Sequence, residues 1–297
     1  MGTPIINGRT VESRSLGPLR SARKSEDLRA LLTDHGYVFL RRAIPRYLVD
    51  AARNHVLNVL GALGEVAEPY TLGIASGSSR RHFVPDLAKF WQRVTESTSI
   101  RAVSHGWHSR RFVDAIFRRP TIAHDYVYLR AYAEGIGTRL HCDAPYFGIP
   151  GSEVLTSWIA LSEIGPQDGA LYLAEPSTRL AEMNATGDPN RGGEIASDPA
   201  GFVSLRGGRL LTHLFRPGDL VIFDMNKIHG SFDNQCCVGR IRLSLDVRHQ
   251  LRIARRDRRF FGNNPLGIGG AGYGEMRAIL PMKHTSPDQL RETAEKA

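Results

Sequence analysis

In the stretch TRLHCDAPYFG, Thr138 to Gly148, a histidine and an aspartate stand two residues apart, His141 and Asp143. Alternate side chains of an extended strand share a face, so this imidazole and this carboxylate would converge on one point while Cys142 turns away. Imidazole and carboxylate together suit a divalent transition ion, although an H-x-D triplet alone suits an ordinary polar turn equally well. A second histidine adds weight to the metal reading. In RPGDLVIFDMNKIHGSFDNQ, PGD signals a turn, LVIF reads as a buried strand, and His229 stands at the far end. Two ligands on one strand and a third at the end of a distant strand form the sequence pattern of a 2-His-1-carboxylate face. Such a face leaves positions on Fe(II) open for a cosubstrate and dioxygen.

The strand that follows alternates strictly. In RIRLSLDVR, Arg240, Arg242, Ser244, Asp246 and Arg248 fall on one side, and Ile241, Leu243, Leu245 and Val247 on the other. A half-buried strand with a solvent face has the same pattern. If the polar side instead lines the inside of a barrel, its arginines need anions, because an unpaired buried charge is expensive. A dicarboxylate would provide one through a bidentate contact, with Ser244 donating a further hydrogen bond.

The elements that must carry these residues are legible in outline. Glu26 to His35 has helical spacing with Leu28, Leu31 and Leu32 on one face, Ser25 as N-cap and Gly36 as terminator. YVFLRRAI reads as a strand, and Pro45 opens the amphipathic PRYLVDAARNHVLNVLGALG. Residues 65–86 read as a long loop, and DLAKFWQRVTES and RRFVDAIFRR as further helices. From about residue 124, short apolar runs punctuated by Gly, Pro, Asn and Asp predict many short strands, as in a sandwich or jelly-roll barrel. The expected organisation is a polar, partly mobile leader over 1–24 and a single domain over 25–297. That domain would comprise a helical layer (25–123), a β core (124–250) and a C-terminal segment (251–297) with a short helix near Pro287 to Lys296.

With 41% hydrophobic and 23% charged residues, the 297-residue chain can bury a sizeable core. It has no apolar run of membrane-spanning length and no apolar block of a secretory signal, so a cytoplasmic protein is expected. Three cysteines, two of them adjacent (Cys236 and Cys237), make no disulfide framework. The net charge of +9 is concentrated in runs such as RHQLRIARRDRRF, Arg248 to Phe260, which suit a solvated face or attraction to an anion. Nucleic acid is not expected, since no regular aromatic interleaving or recognised motif accompanies the charge. GIGGAG, Gly267 to Gly272, matches a dinucleotide fingerprint but follows NNPL rather than a strand, and reads as a loop.

Taken together, YLRAYAEGIGTRLHCD, TSWIALSEIGPQDGALYLAEPS, FRPGDLVIFDMNKIHGSFDN and RIRLSLDVRHQ resemble the phytanoyl-CoA dioxygenase family of Fe(II)/2-oxoglutarate-dependent oxygenases. The resemblance runs from GYVFLRRAIP to LDVRHQ. It implies a mainly β fold with flanking helices, a double-stranded β-helix (jelly-roll, cupin-like) core. It implies iron held by His141, Asp143 and His229, and 2-oxoglutarate anchored by a basic residue on the strand after His229. Two arginines compete for that role: Arg240 has the usual spacing of eleven (240 − 229 = 11), and Arg242 fits the local R-x-S pattern. Thr138, Trp158 and Ser231 would lie near the cosubstrate, Trp158 serving equally as core packing, and Tyr146 would begin the substrate pocket. Asp143 stands where related halogenases have Gly or Ala, so oxygenation is implied. The expected reaction is hydroxylation, or a related oxidation, of a small molecule with dioxygen, releasing succinate and carbon dioxide. The competing reading is a noncatalytic basic protein binding a ligand or nucleic acid on the same scaffold.

Overall fold

The computed structural model describes residues 3–23, 25–135, 137–147, 153–176 and 194–274. The helix expected near Pro287 to Lys296 lies outside them. The N-terminal stretch is part of the fold, contrary to its expectation as a leader. β1 (Ile5–Ile6) and β2 (Arg9–Thr10) form a hairpin whose turn, Asn7-Gly8, has φ of 52° and 76°. Two positive φ values are what a two-residue hairpin turn demands, and Asn-Gly supplies them at low cost. β3 (Leu16–Pro18) then pairs in parallel with β10 (Arg209–Thr212). Ile6, Val11 and Leu19 are buried, so a few spaced apolar residues suffice to hold this edge. Asp233 fastens the turn: its carboxylate accepts from the backbone N–H groups of Asn7 (3.2 Å), Gly8 (2.8 Å) and Gly137 (2.9 Å).

The helical layer follows. α1 (Leu28–His35) is capped by Asp27, which accepts from the N–H groups of Arg29 and Ala30; the expected cap, Ser25, lies two residues too early. Gly36 closes it in the left-handed region at φ 71°. β4 (Tyr37–Leu40) is shorter than YVFLRRAI, because at Arg42 the backbone turns to donate to Asp219. α2 (Arg46–Ala62), α3 (Leu87–Thr95), α4 (Thr98–Ser104) and α5 (Trp107–Phe117) complete the layer, α4 being a helix the spacing did not announce. Residues 65–86 form the expected loop, interrupted by single turns at Tyr70–Leu72 and Arg80–His82.

The β core holds β5 (Thr121–Ala123), β6 (Tyr128–Tyr132), β7 (Glu134–Gly135), β8 (Val154–Ala160) and β9 (Leu171–Glu175). Beyond β10 come β11 (Leu220–Asp224), β12 (His229–Ser231), β13 (Asn234–Gln235) and β14 (Arg242–Leu251). The larger sheet has the order β4-β11-β8-β14-β5, with β6 also on β14; the smaller is β12-β9-β10-β3. Side-chain alternation divides the core in two. Val38, Leu155, Ile159, Ile222, Leu243 and Leu245 point from the larger sheet to the helices, where Val49, Val56 and Leu60 of α2 cover them. Phe39, Trp158, Phe223, Leu173 and Phe232 fill the space between the sheets. β14 is therefore buried on both sides, and the polar side, from Arg242 to Arg248, faces inward. Each fully covered Leu or Phe contributes about 1.5–3 kcal/mol, which is what pins this register. GIGGAG is a loop as expected, with the Tyr126 hydroxyl donating to the Gly272 carbonyl at 3.0 Å.

Two consequences can be measured. Asp233→Ala strands three backbone donors, so unfolding free energy should fall by about 2–4 kcal/mol in urea titration; a change below about 0.5 would mean the turn is held otherwise. The second concerns His124 and His249, both buried, His124 bonded to Gln250 (3.1 Å) and stacked on Phe260, His249 bonded to Ser157 (3.3 Å). Burial pushes both down to about 3 from an ordinary 6.5. The unfolded chain takes up these protons below pH 6.5 and the folded chain only near 3, so stability present above 6.5 drains away as pH falls across that window. The limiting slope is about 1.4 kcal/mol per pH unit for each histidine. Melting temperature should drop from pH 6.5 to 5, and His124→Asn with His249→Asn should flatten that slope; an unaltered slope would acquit both.

Candidate metal centre

Backbone pairing brings the two histidines together. His141 N–H donates to the His229 carbonyl at 2.9 Å, and His229 N–H returns the bond to His141 at 2.8 Å. Two residues along, Ser231 N–H donates to Thr138 (2.9 Å) and Thr138 N–H to the Ser231 hydroxyl (2.7 Å). The approach needs glycine. A Cβ on Gly137 would stand 2.2 Å from the Ser231 carbonyl, and one on Gly230 would stand 2.4 Å from the Tyr172 hydroxyl. Only His141 is in β pairing; Asp143 sits at the bend where its carbonyl accepts from Tyr146 and Phe147 and starts α6 (Ala144–Phe147). The alternation argument thus holds for direction but not for a continuous strand.

Asp143 Oδ1 lies 3.5 Å from His141 Nε2 and 3.9 Å from His229 Nε2, and one donor atom from each residue lies within 4.8 Å of the others. Atoms sharing an ion at bonds near 2.1 Å have separations of this order. Each imidazole is held by its other nitrogen: His141 Nδ1–H donates to the Arg139 carbonyl (2.7 Å) and His229 Nδ1–H to that of Lys227 (2.8 Å). Both tautomers are then set with the Nε2 lone pair toward the shared point. Burial and the neighbouring His141 push His229 down to about 4. Burial would raise the Asp143 carboxyl, but the Arg248 guanidinium and the two imidazoles hold it well below the usual carboxylate range. A neutral His229 imidazole beside an ionised Asp143 carboxylate suits a divalent ion.

His141 and His229 face a pocket whose wall also includes Arg130, Thr138, Trp158, Ser231, Arg242 and Arg248. Its charges are paired with one exception. Arg130 binds Asp246 (2.8 Å) and the Thr138 hydroxyl (3.1 Å), and Arg248 binds Asp143 (2.8 Å). Arg242, 1% exposed, donates to the Tyr132 hydroxyl and lies over its ring at 5.2 Å, with no carboxylate partner among the described residues. Arg242 Nε, Trp158 Nε1 and Ser244 Oγ are buried without a hydrogen-bond partner. Trp158 also packs on Phe215 at 4.6 Å, so it serves the core as well.

The two competing arginines part here. Arg240 precedes β14, has a side chain 38% exposed, and turns to Glu163 (3.9 Å) and Asp168 (3.8 Å), away from the pocket lined by Arg242. Ser244 shares the inward side of β14 but is not at the pocket wall. Tyr146, half-buried on α6, has its ring 6.0 Å from that of His141. Arg130, Thr156 and Arg248 complete the site without having been singled out from the sequence. The signal for Arg130 was a charge inside the apolar YLRAY, and for Thr156 a polar residue opening the buried TSWIA. Arg252, Arg255, Arg256 and Arg258 are exposed, while Arg259 donates to the Phe147 carbonyl at 2.9 Å, so the basic run lies alongside α6.

The chain is similar to known proteins. The model of the family described as phytanoyl-CoA dioxygenase (PhyH) matches residues 32–241. A 1-deoxypentalenic acid 11-beta-hydroxylase of Streptomyces exfoliatus is 26% identical over 245 residues, spanning 78% of this chain and 83% of that protein. Among solved structures, the non-heme alpha ketoglutarate dependent carbocyclase SnoK from nogalamycin biosynthesis superposes with a TM-score of 0.52 at 17% identity, covering 91% of this chain and 96% of its own. AviO1 from Streptomyces viridochromogenes Tue57 gives 0.51 at 13% identity, covering 78% and 99%. These likenesses establish the jelly-roll fold. Among the described residues, no helix is long and apolar enough to cross a membrane.

His141→Ala or His229→Ala should weaken Co(II) or Fe(II) binding by more than about 100-fold in anaerobic equilibrium dialysis, since even outer contacts to metal ligands are worth 10- to 100-fold. Wild-type affinity in either variant would dissolve the metal centre.

Proposed function

Because the chain belongs to the phytanoyl-CoA dioxygenase family, we propose that it hydroxylates a small organic molecule, with Fe(II) on the His141–Asp143–His229 face and 2-oxoglutarate in the adjoining pocket. The observation that carries this reading is Arg242. A guanidinium 1% exposed and without a carboxylate partner among the described residues is costly, and a bound dicarboxylate removes that cost. Arg242 would take the distal carboxylate of 2-oxoglutarate, with the partnerless Trp158 Nε1 as a further donor at the pocket wall. The paired backbones of Thr138 and Ser231 would form the rigid wall between this anchor and the ion. Iron and 2-oxoglutarate together supply oxidation by dioxygen, with release of succinate and carbon dioxide.

The protein's own part is orientation and dryness. The Arg139 and Lys227 carbonyls hold the imidazoles, and Leu171 and Phe223 at the pocket wall keep water from the reacting centre. Tyr146, beside His141, is the first contact offered to the substrate. Asp143 occupies the carboxylate position, which favours oxygenation over halogenation. The hydroxylase among the relatives supports C–H hydroxylation in specialised metabolism as the class of reaction. None of Cys142, Cys236 and Cys237 is in a disulfide, which suits a reducing, cytoplasmic setting.

A metabolite-library screen reporting both succinate and a product gaining one oxygen tests the reaction; succinate without any oxidised product across the library would count against it. The cosubstrate assignment has a sharper test. Arg242→Leu should raise the 2-oxoglutarate concentration for half-saturation of the Fe(II) protein by about 10- to 100-fold, the worth of a charge-assisted hydrogen bond. Arg240→Leu should change it by less than about twofold, as for other exposed pairs. The reverse ranking would transfer the role to Arg240.

A further inference from the structure

Arg248 is a pocket arginine already paired inside the protein through Nη2, with Nε and Nη1 buried and without a hydrogen-bond partner, and its surroundings are specific. Its side chain, 6% exposed, has its guanidinium carbon 5.0 Å from the ring of Tyr128 and 4.9 Å from that of Phe147. Between those rings the planar guanidinium is held in one orientation. Nη2 donates to Asp143 Oδ2 at 2.8 Å, and the Thr156 hydroxyl donates to the same oxygen at 2.9 Å. Arg248 and Thr156 are directly opposite each other across β14 and β8, so both donors come from one register position of the larger sheet. The oxygen they hold belongs to a residue outside that sheet, at the bend before α6. Oδ1 is the oxygen nearest the imidazole nitrogens, at 3.5 and 3.9 Å.

We propose that Arg248 and Thr156 are positioning residues that restrict Asp143 to one-oxygen ligation, resting on the iron reading of this same face. A carboxylate with both oxygens available can grip one ion through both. On an octahedral ion, two histidines and a one-oxygen aspartate leave positions for a chelating 2-oxo acid and for dioxygen. A two-oxygen aspartate takes one of those positions. Engaging Oδ2 with a fixed cation and a hydroxyl removes that alternative, and both donor side chains are carried by neighbouring strands of one sheet. Arginine suits the task because its fork can face the carboxylate while its plane packs between aromatic rings.

The test uses Co(II), whose visible absorption reports coordination number, on the full chain with the variants Arg248→Gln, Arg248→Lys and Thr156→Val. In Arg248→Gln the Co(II) spectrum without cosubstrate should change in band position and intensity, and 2-oxoglutarate affinity should fall by about 10-fold or more. Affinity for Co(II) itself should fall less than affinity for 2-oxoglutarate, a split that a general loss of folding would not produce. Thr156→Val should move the spectrum and the affinity in the same direction by a smaller factor. Arg248→Lys, which retains a cationic donor, should recover part of both; should Arg248→Gln not fold, this variant and Thr156→Val decide the matter alone. A wild-type spectrum with wild-type 2-oxoglutarate affinity in the variants overturns the proposal. So does loss of 2-oxoglutarate in Arg248→Gln with wild-type behaviour in Thr156→Val, which would make Arg248 a direct contact of the cosubstrate. If the wild-type protein binds no Co(II), the iron reading fails as well.

Discussion

Turning the polar side of a long strand into the interior of a barrel is the constraint to which the remaining structure answers. Three arginines, Arg130, Arg242 and Arg248, line one pocket, Arg242 and Arg248 buried and Arg130 half-buried, and each buried ion costs several kcal/mol unless it is paired and hydrogen-bonded. Two of them are matched inside the protein, Arg130 with Asp246 and Arg248 with Asp143. Among the described residues the third meets a phenol, Tyr132, and no carboxylate. An arrangement that leaves one cation uncompensated sacrifices stability of the empty protein for affinity toward an anion, and a ligand that binds only the folded state returns that stability.

The second constraint is closeness of backbone. His141 and His229 exchange both of their main-chain hydrogen bonds, so their side chains leave the same rung of the pairing. Glycine at 137 and 230 permits that rung to form, and Asp233 secures it from the other side through the turn of the N-terminal hairpin. A hairpin far from His141 in sequence is therefore joined, through one carboxylate, to the segment that carries it. Asp143 has no such rung. Its position depends on side chains, Arg248 and Thr156, projecting from a sheet to which it does not belong.

Local pattern carried a large share of this protein. The alternation of RIRLSLDV, the turn signal before LVIF and the spacing within HCD follow from the geometry of a strand, which any stretch of chain obeys alone. From these the barrel class and the convergence of His141, Asp143 and His229 were legible, and helical spacing marked α1, α2, α3 and α5 but not α4. The Asn-Gly turn at residues 7 and 8 was equally local and marked a hairpin in what read as a leader.

What local pattern could not decide was anything requiring a partner distant in the chain. Arg240 and Arg242 occupy the same side of one alternation, and sequence offers each a reason to be the anchor. Register separates them: Arg242 lies opposite Tyr132 inside the barrel, whereas Arg240 falls before the strand begins and turns to Glu163 and Asp168. Arg248 and Thr156 meet only because β14 and β8 are antiparallel neighbours, and they reach Asp143 only because the bend before α6 folds over both. Sequence by itself determined which residue types were available and which way each would point along its own strand. Tertiary structure decided which of them share an enclosed space, because pairing, burial and the charge balance they impose are properties of several segments at once.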